Sequence, residues 1–221
     1  NLEKIAKTYK IPVTTTYHAK GIISEADDIN LGLVGIRSTP RAKYAYENAD
    51  CVIALGIKAS ERTLPQVCDN LIHVNINKDV LIGDYPIHGK VEDFLGEINF
   101  KQADWLDEIL EINNKIEIEG LNKDLKPQAA IKRILDKFEN NIIASDAGSH
   151  TTWTTLLKKS LKPSQLLFSG AMAPMGYGIP AAIGASIATD EKVIVINGDG
   201  DFQMNLQELA TIRQNNLDII I

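Results

Sequence analysis

Apolar residues in this chain come in short runs separated by helical stretches, and the alternation continues from one end to the other. Leu2–Tyr9 reads as a helix already in progress. Strand-like apolar runs follow at Ile11–Thr16, Cys51–Gly56 and Leu71–Ile76, with a helical pattern at Pro40–Asn48 and a further apolar segment at Val91–Ile98. Short apolar runs bounded by turn formers suit strands buried on both faces, and helices between them supply the crossovers that parallel pairing requires. Lys101–Lys126 breaks the pattern. It is charged and helical around Trp105-Leu106, Ile109-Leu110 and Ile112, then loses clear periodicity through Asn113–Asp124, and it reads as a linker. The alternation resumes with helix Pro127–Glu139, strand Ile142–Ser145, helix Thr151–Lys159, strand Leu166–Ser169, helix Ile179–Thr189, strand Val193–Ile196, helix Leu206–Gln214 and strand Leu217–Ile221. The pattern predicts an α/β chain of two doubly wound parallel-sheet domains, residues 1–100 and 127–221, joined by residues 101–126.

Composition narrows the partners. The 221 residues carry a net charge of -6 with no cluster of Lys and Arg, so nucleic acid, which calls for a basic face, is not an expected partner. No apolar run approaches the ~20 residues that span a bilayer and no secretory leader is evident, so no membrane partner is expected and a cytoplasmic location is. Cys51 and Cys68 belong to no C-x-x-C and have no nearby His pair, which makes free thiols the expectation. Asn1 is not an initiator methionine and the final apolar run stops without a cap, the pattern expected of a piece of a longer chain.

Three loops of the second domain each follow a predicted strand, so they open at the strand ends where parallel α/β sheets take their ligands. The loop at Gly198-Asp199-Gly200-Asp201 sets one carboxylate between glycines after a buried strand. Glycine lets backbone approach a ligand closely, a following helix aims N–H groups at an anion, and a lone carboxylate with phosphate oxygens suits Mg2+. Taken alone the tripeptide is more often an ordinary turn. Asp146-Ala147-Gly148-Ser149-His150 places hydroxyl and imidazole groups at a helix start, where they suit phosphate oxygens or, alternatively, a simple cap with a solvated histidine. Gly170–Gly178 is glycine-dense and carries Met172 and Met175. It suits a flat ring packed on soft side chains, or a tight turn whose methionines fill core. His18, His73 and His88 have no carboxylate or cysteine spaced to make them ligands, and structural or solvated roles are expected. Glu208 is expected to cap or pack.

The order of these loops, and especially Met175-Gly176-Tyr177-Gly178-Ile179-Pro180-Ala181-Ala182-Ile183-Gly184 followed by Gly198-Asp199-Gly200 and Asn205-Leu206-Gln207-Glu208-Leu209, resembles thiamine diphosphate-dependent 2-keto acid enzymes. Among them the chain is most similar to acetolactate (acetohydroxyacid) synthase large subunits, with residues 1 to about 100 resembling the middle domain and about 127 to 221 the start of the cofactor-binding domain. The resemblance implies Mg2+ on Asp199. It implies a diphosphate against Gly198, Gly200, Asp201, Gly148, Ser149 and His150, with Ser149 standing where the synthases have Gln. It makes Met175 the catalytic residue that wedges the cofactor into its bent form, and gives the backbone carbonyl of Ala173, usually a glycine, the aminopyrimidine amino group as partner.

The reaction so implied is decarboxylation of a 2-keto acid, pyruvate in the first instance, with transfer of the two-carbon unit to a second keto acid. Simple decarboxylases and pyruvate oxidases share the scaffold, and a non-catalytic assembly module is the alternative of a different class. The resemblance further implies a homodimer or tetramer, a regulatory subunit, and a second metal ligand and an activating glutamate outside these residues. In the middle domain the family often holds FAD. Gly35, Thr39 and Arg62 match positions near that flavin, while Arg37-Ser38 stands where His-Gly is usual and Asn75 and Asn77 where Asp is common.

Overall fold

The computed structural model describes residues 1–60, 62–64, 68–123 and 126–221. Asp124, at the end of the aperiodic stretch of the expected linker, lies outside the described residues. The chain forms two compact units, Asn1–Ala19 with Glu25–Ile116 and Lys20–Ser24 with Glu117–Ile221.

In the first unit, α1 (Leu2–Tyr9) leads into β1 (Val13–Thr15), which pairs in parallel with β2 (Asn30–Leu33). α2 (Pro40–Asn48) begins with proline at its first position, where a missing N–H leaves nothing unpaired. A second parallel sheet follows in the order β3-β4-β5, from β3 (Val52–Leu55), β4 (Leu71–Asn75) and β5 (Tyr85–His88), with α3 (Val91–Glu97) and α4 (Leu106–Leu110) after it. The strands are parallel, as predicted, but they divide into a pair and a triplet. β2 and β5 escape the hydropathy pattern for local reasons. β2 contains Gly32 at φ +96, where a Cβ would lie 2.6 Å from Thr39 Oγ1. β5 contains Pro86 and occupies an edge of its sheet, where a missing donor is tolerated.

His73 in β4 is wholly buried and structural. Its Nδ1 accepts from the Ile82 N–H (3.1 Å), so Nε2 carries the proton and donates to the Ile57 carbonyl (3.0 Å).

The second unit runs α5 (Pro127–Lys137), β6 (Ile142–Ser145), α6 (Ser149–Leu157), β7 (Leu166–Leu167), α7 (Gly178–Thr189), β8 (Val193–Ile196), α8 (Asp199–Met204), α9 (Glu208–Gln214) and β9 (Ile219–Ile220). Its four strands are all parallel in the order β7-β6-β8-β9. Because successive side chains leave a strand on opposite faces, the central pair is split between two cores. Ile142, Ala144, Val193 and Val195 pack with Ile179, Ala182 and Ile183 of α7. Ile143, Ile194 and Ile196 pack with Ile131 and Leu135 of α5. That two-sided burial explains why β6 and β8 read as unbroken apolar runs. Each such aliphatic chain contributes roughly 1.5–3 kcal/mol on burial.

The second unit also contains the segment Lys20–Ser24, where Ile23 is 1% exposed and Gly21, at φ +84, brings its backbone so close that a Cβ would lie 2.2 Å from the Lys162 carbonyl oxygen. One element was not expected as such. The Gly-Asp-Gly turn is itself the start of a helix, α8, with Gly198 as its N-cap, and α9 begins at Glu208 rather than Leu206.

Candidate functional site

The site is built from the carboxyl ends of β6 and β8. These strands are neighbours, with Ser145 opposite Ile196, and the Asp146 N–H donates to the Ile196 carbonyl (3.1 Å), so the segments that follow leave the sheet side by side. On β6 the chain turns at Gly148, whose φ of +149 and proximity to its neighbour both call for glycine, since a Cβ there would lie 2.8 Å from His150 Cε1. α6 then starts at Ser149 with no side-chain cap; the Thr151 N–H donates to the Gly148 carbonyl (3.1 Å), which leaves the Ser149 and His150 N–H groups for an acceptor. On β8 the chain turns at Gly198 and α8 starts at Asp199.

The third loop reaches the same place through a residue absent from the sequence-predicted set. Asp146 is 3% exposed, and its Oδ1 accepts from the Ala147, Gly176 and Tyr177 N–H groups (2.8, 3.0 and 3.3 Å) while Oδ2 accepts from the Gly178 N–H (2.7 Å). From the other side the Asn205 Nδ2 donates to the Gly176 carbonyl (2.6 Å). These bonds seat the glycine-dense loop on the two strand ends. Met175 Cε comes to rest so near Gly200 that a Cβ there would lie 2.7 Å from it. Asp146 was legible only as a carboxylate ending an apolar strand; its partners lie far along the chain.

Each sequence-predicted residue has a definite place. Gly148, Ser149 and Asp199 are exposed at the two helix starts. Asp199 is a single carboxylate, and among the described residues no three His, Cys, Asp or Glu converge as a metal cluster. Asp201 is 2% exposed and turned inward, where its Oδ2 accepts from the Gly198 N–H (2.9 Å). His150 Nε2 lies 3.6 Å from that same oxygen; it and Asp201 Oδ1 are buried polar atoms without a hydrogen-bond partner among the described residues. The solvated-histidine alternative therefore does not hold, because the His150 side chain is 15% exposed. Nor do the loop methionines fill core: Met172 is 89% and Met175 49% exposed. Ala173 adopts φ +45, a left-handed conformation that glycine takes more easily than alanine. Glu208 accepts from the Thr211 hydroxyl (2.8 Å) within its own helix.

Each unit is built on parallel strands, and in the second the glycine turns and an exposed carboxylate lie at adjacent strand ends; the two units match the domains of a known class. Residues 1–98 match the thiamine pyrophosphate enzyme central domain and residues 146–221 the thiamine pyrophosphate enzyme C-terminal TPP binding domain. The chain belongs to the thiamine pyrophosphate enzymes. Within that class it is similar to acetolactate synthases. It is 35% identical to the probable acetolactate synthase large subunit of Methanocaldococcus jannaschii and 31% identical to the acetolactate synthase isozyme 1 large subunit of Escherichia coli, in both cases across 100% of this chain and 42% of the relative. Acetolactate synthase 1, chloroplastic, of Nicotiana tabacum is 29% identical across 100% of this chain and 37% of its own length. The chain thus spans about two fifths of the length of these relatives. Among the described residues no helix is long and apolar enough to cross a membrane.

Proposed function

We propose that this chain is part of a thiamine diphosphate- and Mg2+-dependent enzyme that decarboxylates a 2-keto acid, pyruvate first, and joins the two-carbon unit to a second keto acid, as an acetolactate synthase does. The observation that carries the reading is the convergence of three loops on the ends of β6 and β8, with Met175 lying on Gly200.

The residues present fit the cofactor. Backbone N–H groups at the uncapped start of α6 and the Ser149 hydroxyl suit diphosphate oxygens, and the unpartnered His150 Nε2 is a buried polar atom beside them. Asp199 is the exposed carboxylate for the cation. Asp201 shapes the turn by holding the Gly198 N–H, so it serves the diphosphate through backbone rather than through its own carboxylate. Gly200 leaves the space that Met175 occupies. Met175 offers a half-exposed apolar face on which a ring can rest and from which water is kept, and Ala173 presents its carbonyl in the same loop. Thiamine diphosphate supplies the electron sink for loss of CO2 when bound. The two domains are proposed at 1–100 and 127–221 with a linker between.

Of the residues named for a flavin Thr39 is engaged within the unit, and so are the two asparagines that stand where Asp is common. The Thr39 hydroxyl donates to the Leu31 carbonyl (2.6 Å), the Asn75 amide donates to Ile57, an interaction Asp could not make, and Asn77 caps the Asp79 N–H. A flavin stays a proposal of the resemblance at Gly35, Thr39 and Arg62, and no step is assigned to one. The relatives' names as large subunits support a smaller partner chain; a regulatory role for it and a dimer or tetramer of catalytic chains are proposed on the resemblance alone.

The test is product analysis of the complete polypeptide with pyruvate, thiamine diphosphate and Mg2+. Acetolactate is expected, together with loss of Mg2+-dependent cofactor binding in Asp199→Ala. Free acetaldehyde would indicate a simple decarboxylase, acetate with an oxidant consumed a pyruvate oxidase, and no product with no cofactor bound an assembly module.

A further inference from the structure

Resting on that reading, we propose that Asp146 is the positioning residue of the site, acting with Asn205 to hold Met175 in place over the Gly-Asp-Gly turn. A carboxylate buried to 3% exposure must be hydrogen-bonded to persist, and Asp146 meets that demand wholly with backbone donors: Ala147, Gly176, Tyr177 and Gly178. Four N–H groups on two oxygens leave it nothing to offer a substrate, so its role is exercised through the loop it holds. The last of those donors opens α7, a helix of 12 residues with no side-chain cap of its own. Asp146 therefore supplies from another strand the anion that the positive end of this helix favours.

Gly176 is where the two tethers meet. Its N–H is held by Asp146 and its carbonyl by Asn205, so the peptide planes on both sides of this residue are fixed, one to the end of β6 and one to the end of α8. Only glycine suits the position, since φ is +89 and a Cβ would lie 2.7 Å from Asn205 Nδ2 and 2.8 Å from Met204 Cβ. Met175 is joined to the first of those planes. Being 49% exposed, with three rotatable bonds, it has little packing of its own to define it. Its contact with Gly200 is consequently set by the tethers rather than by a surrounding core.

The test compares the complete wild-type polypeptide with Asp146→Asn and with Asn205→Ala, which cuts the second tether and leaves the buried carboxylate alone. Asparagine keeps the shape but turns an N–H2 group toward a backbone donor. In the cofactor-free protein, amide hydrogen exchange at Gly176, Tyr177 and Gly178 should accelerate by about tenfold or more in Asp146→Asn, the scale of one lost hydrogen bond to a charged group, and by a smaller, few-fold factor in Asn205→Ala, the scale of one between neutral groups. The Met175 methyl resonance in 13C-methyl-methionine protein should shift in both. With thiamine diphosphate added, proton exchange at the thiazolium carbon should slow more than cofactor affinity falls. Unchanged amide protection and an unmoved Met175 resonance in both variants would overturn the proposal, and so would a loss of proton exchange that only tracks lost affinity. Should Asp146→Asn fail to fold, Asn205→Ala decides alone. A wild-type protein that binds no thiamine diphosphate would bring down the functional reading, while the cofactor-free measurements still decide whether Asp146 and Asn205 position Met175.

Discussion

Asp146 Oδ2 accepts the Gly178 N–H at 2.7 Å, and a Cβ on Gly178 would lie 3.0 Å from that oxygen and 3.3 Å from Val195 Cγ1. The pair joins the end of one strand to the start of a helix 32 residues later, and neither partner can yield easily. The carboxylate is held by its other donors and the valine sits in the core between β8 and α7.

Gly178→Ala should therefore destabilise the protein. Overpacking costs roughly 1–3 kcal/mol, against at most ~1 kcal/mol that alanine gains over glycine in a helix, so a net loss on the order of 1 kcal/mol is expected. Urea denaturation of the variant and its parent measures it; an equal or higher midpoint would show that the Asp146 contact can relax.

Gly200→Ala should behave in the opposite way. The added Cβ meets only Met175 Cε, at 2.7 Å, the far end of a flexible side chain that can swing aside. Folding stability should be unchanged or up by as much as ~1 kcal/mol from helix propensity, while turnover of pyruvate falls because Met175 is displaced. A thermal melt and an acetolactate assay on the same preparation separate the two effects. Full activity would mean that the seat of Met175 on Gly200 is dispensable.

Ala173→Gly should stabilise. An L-residue in the left-handed region carries a strain of about 1–2 kcal/mol, and glycine relieves it at an entropic cost of roughly 0.5–1 kcal/mol, leaving a gain of up to about 1 kcal/mol. Since the carbonyl offered by this residue belongs to the backbone, thiamine diphosphate affinity should be retained, which fluorescence titration checks. A lower melting temperature would show that φ +45 at Ala173 is not a strained conformation.

The two cysteines should be sluggish nucleophiles. Desolvation pushes the partly buried Cys68 thiol above its ordinary 9.0 and raises the neighbouring Tyr46 phenol to about 12; the exposed Cys51 thiol is pushed up in the same direction by what desolvation it has and by Asp50. Fewer thiolates then exist in the folded than in the unfolded chain at pH 8, so iodoacetamide should label native protein more slowly than protein in urea. The corresponding stability is fully present below the ordinary thiol value of 9.0 and is lost as pH rises through the raised folded value. Native labelling as fast as unfolded labelling at pH 8 would contradict this.

Much of the second unit was legible along the chain because its signals are local. β6 and β8 announce themselves as mainly apolar runs, since a strand covered on both faces is filled chiefly by apolar side chains. Strands such as β2 and β5 were hidden by a glycine and a proline that their particular positions accommodate. At the site, the glycine spacing marked where backbone must bend, and Asp199 between two glycines marked a carboxylate that the fold leaves exposed.

Other choices belonged to residues distant in sequence. Whether Met172 and Met175 fill core or stand exposed depends on how the loop is seated, and periodicity holds no information about that. Asp201 and Asp199 are two residues apart in one turn, yet the helical rotation between them buries the first and exposes the second. The sequence by itself determined the parallel α/β layers and the three loops at the strand ends, because hydrophobic period and glycine placement act over a few neighbouring residues. Only the tertiary structure decided that Asp146 holds those loops together, because its donors at Gly176 and Gly178 lie 30 and 32 residues away and become neighbours only when β6, α7 and β8 pack.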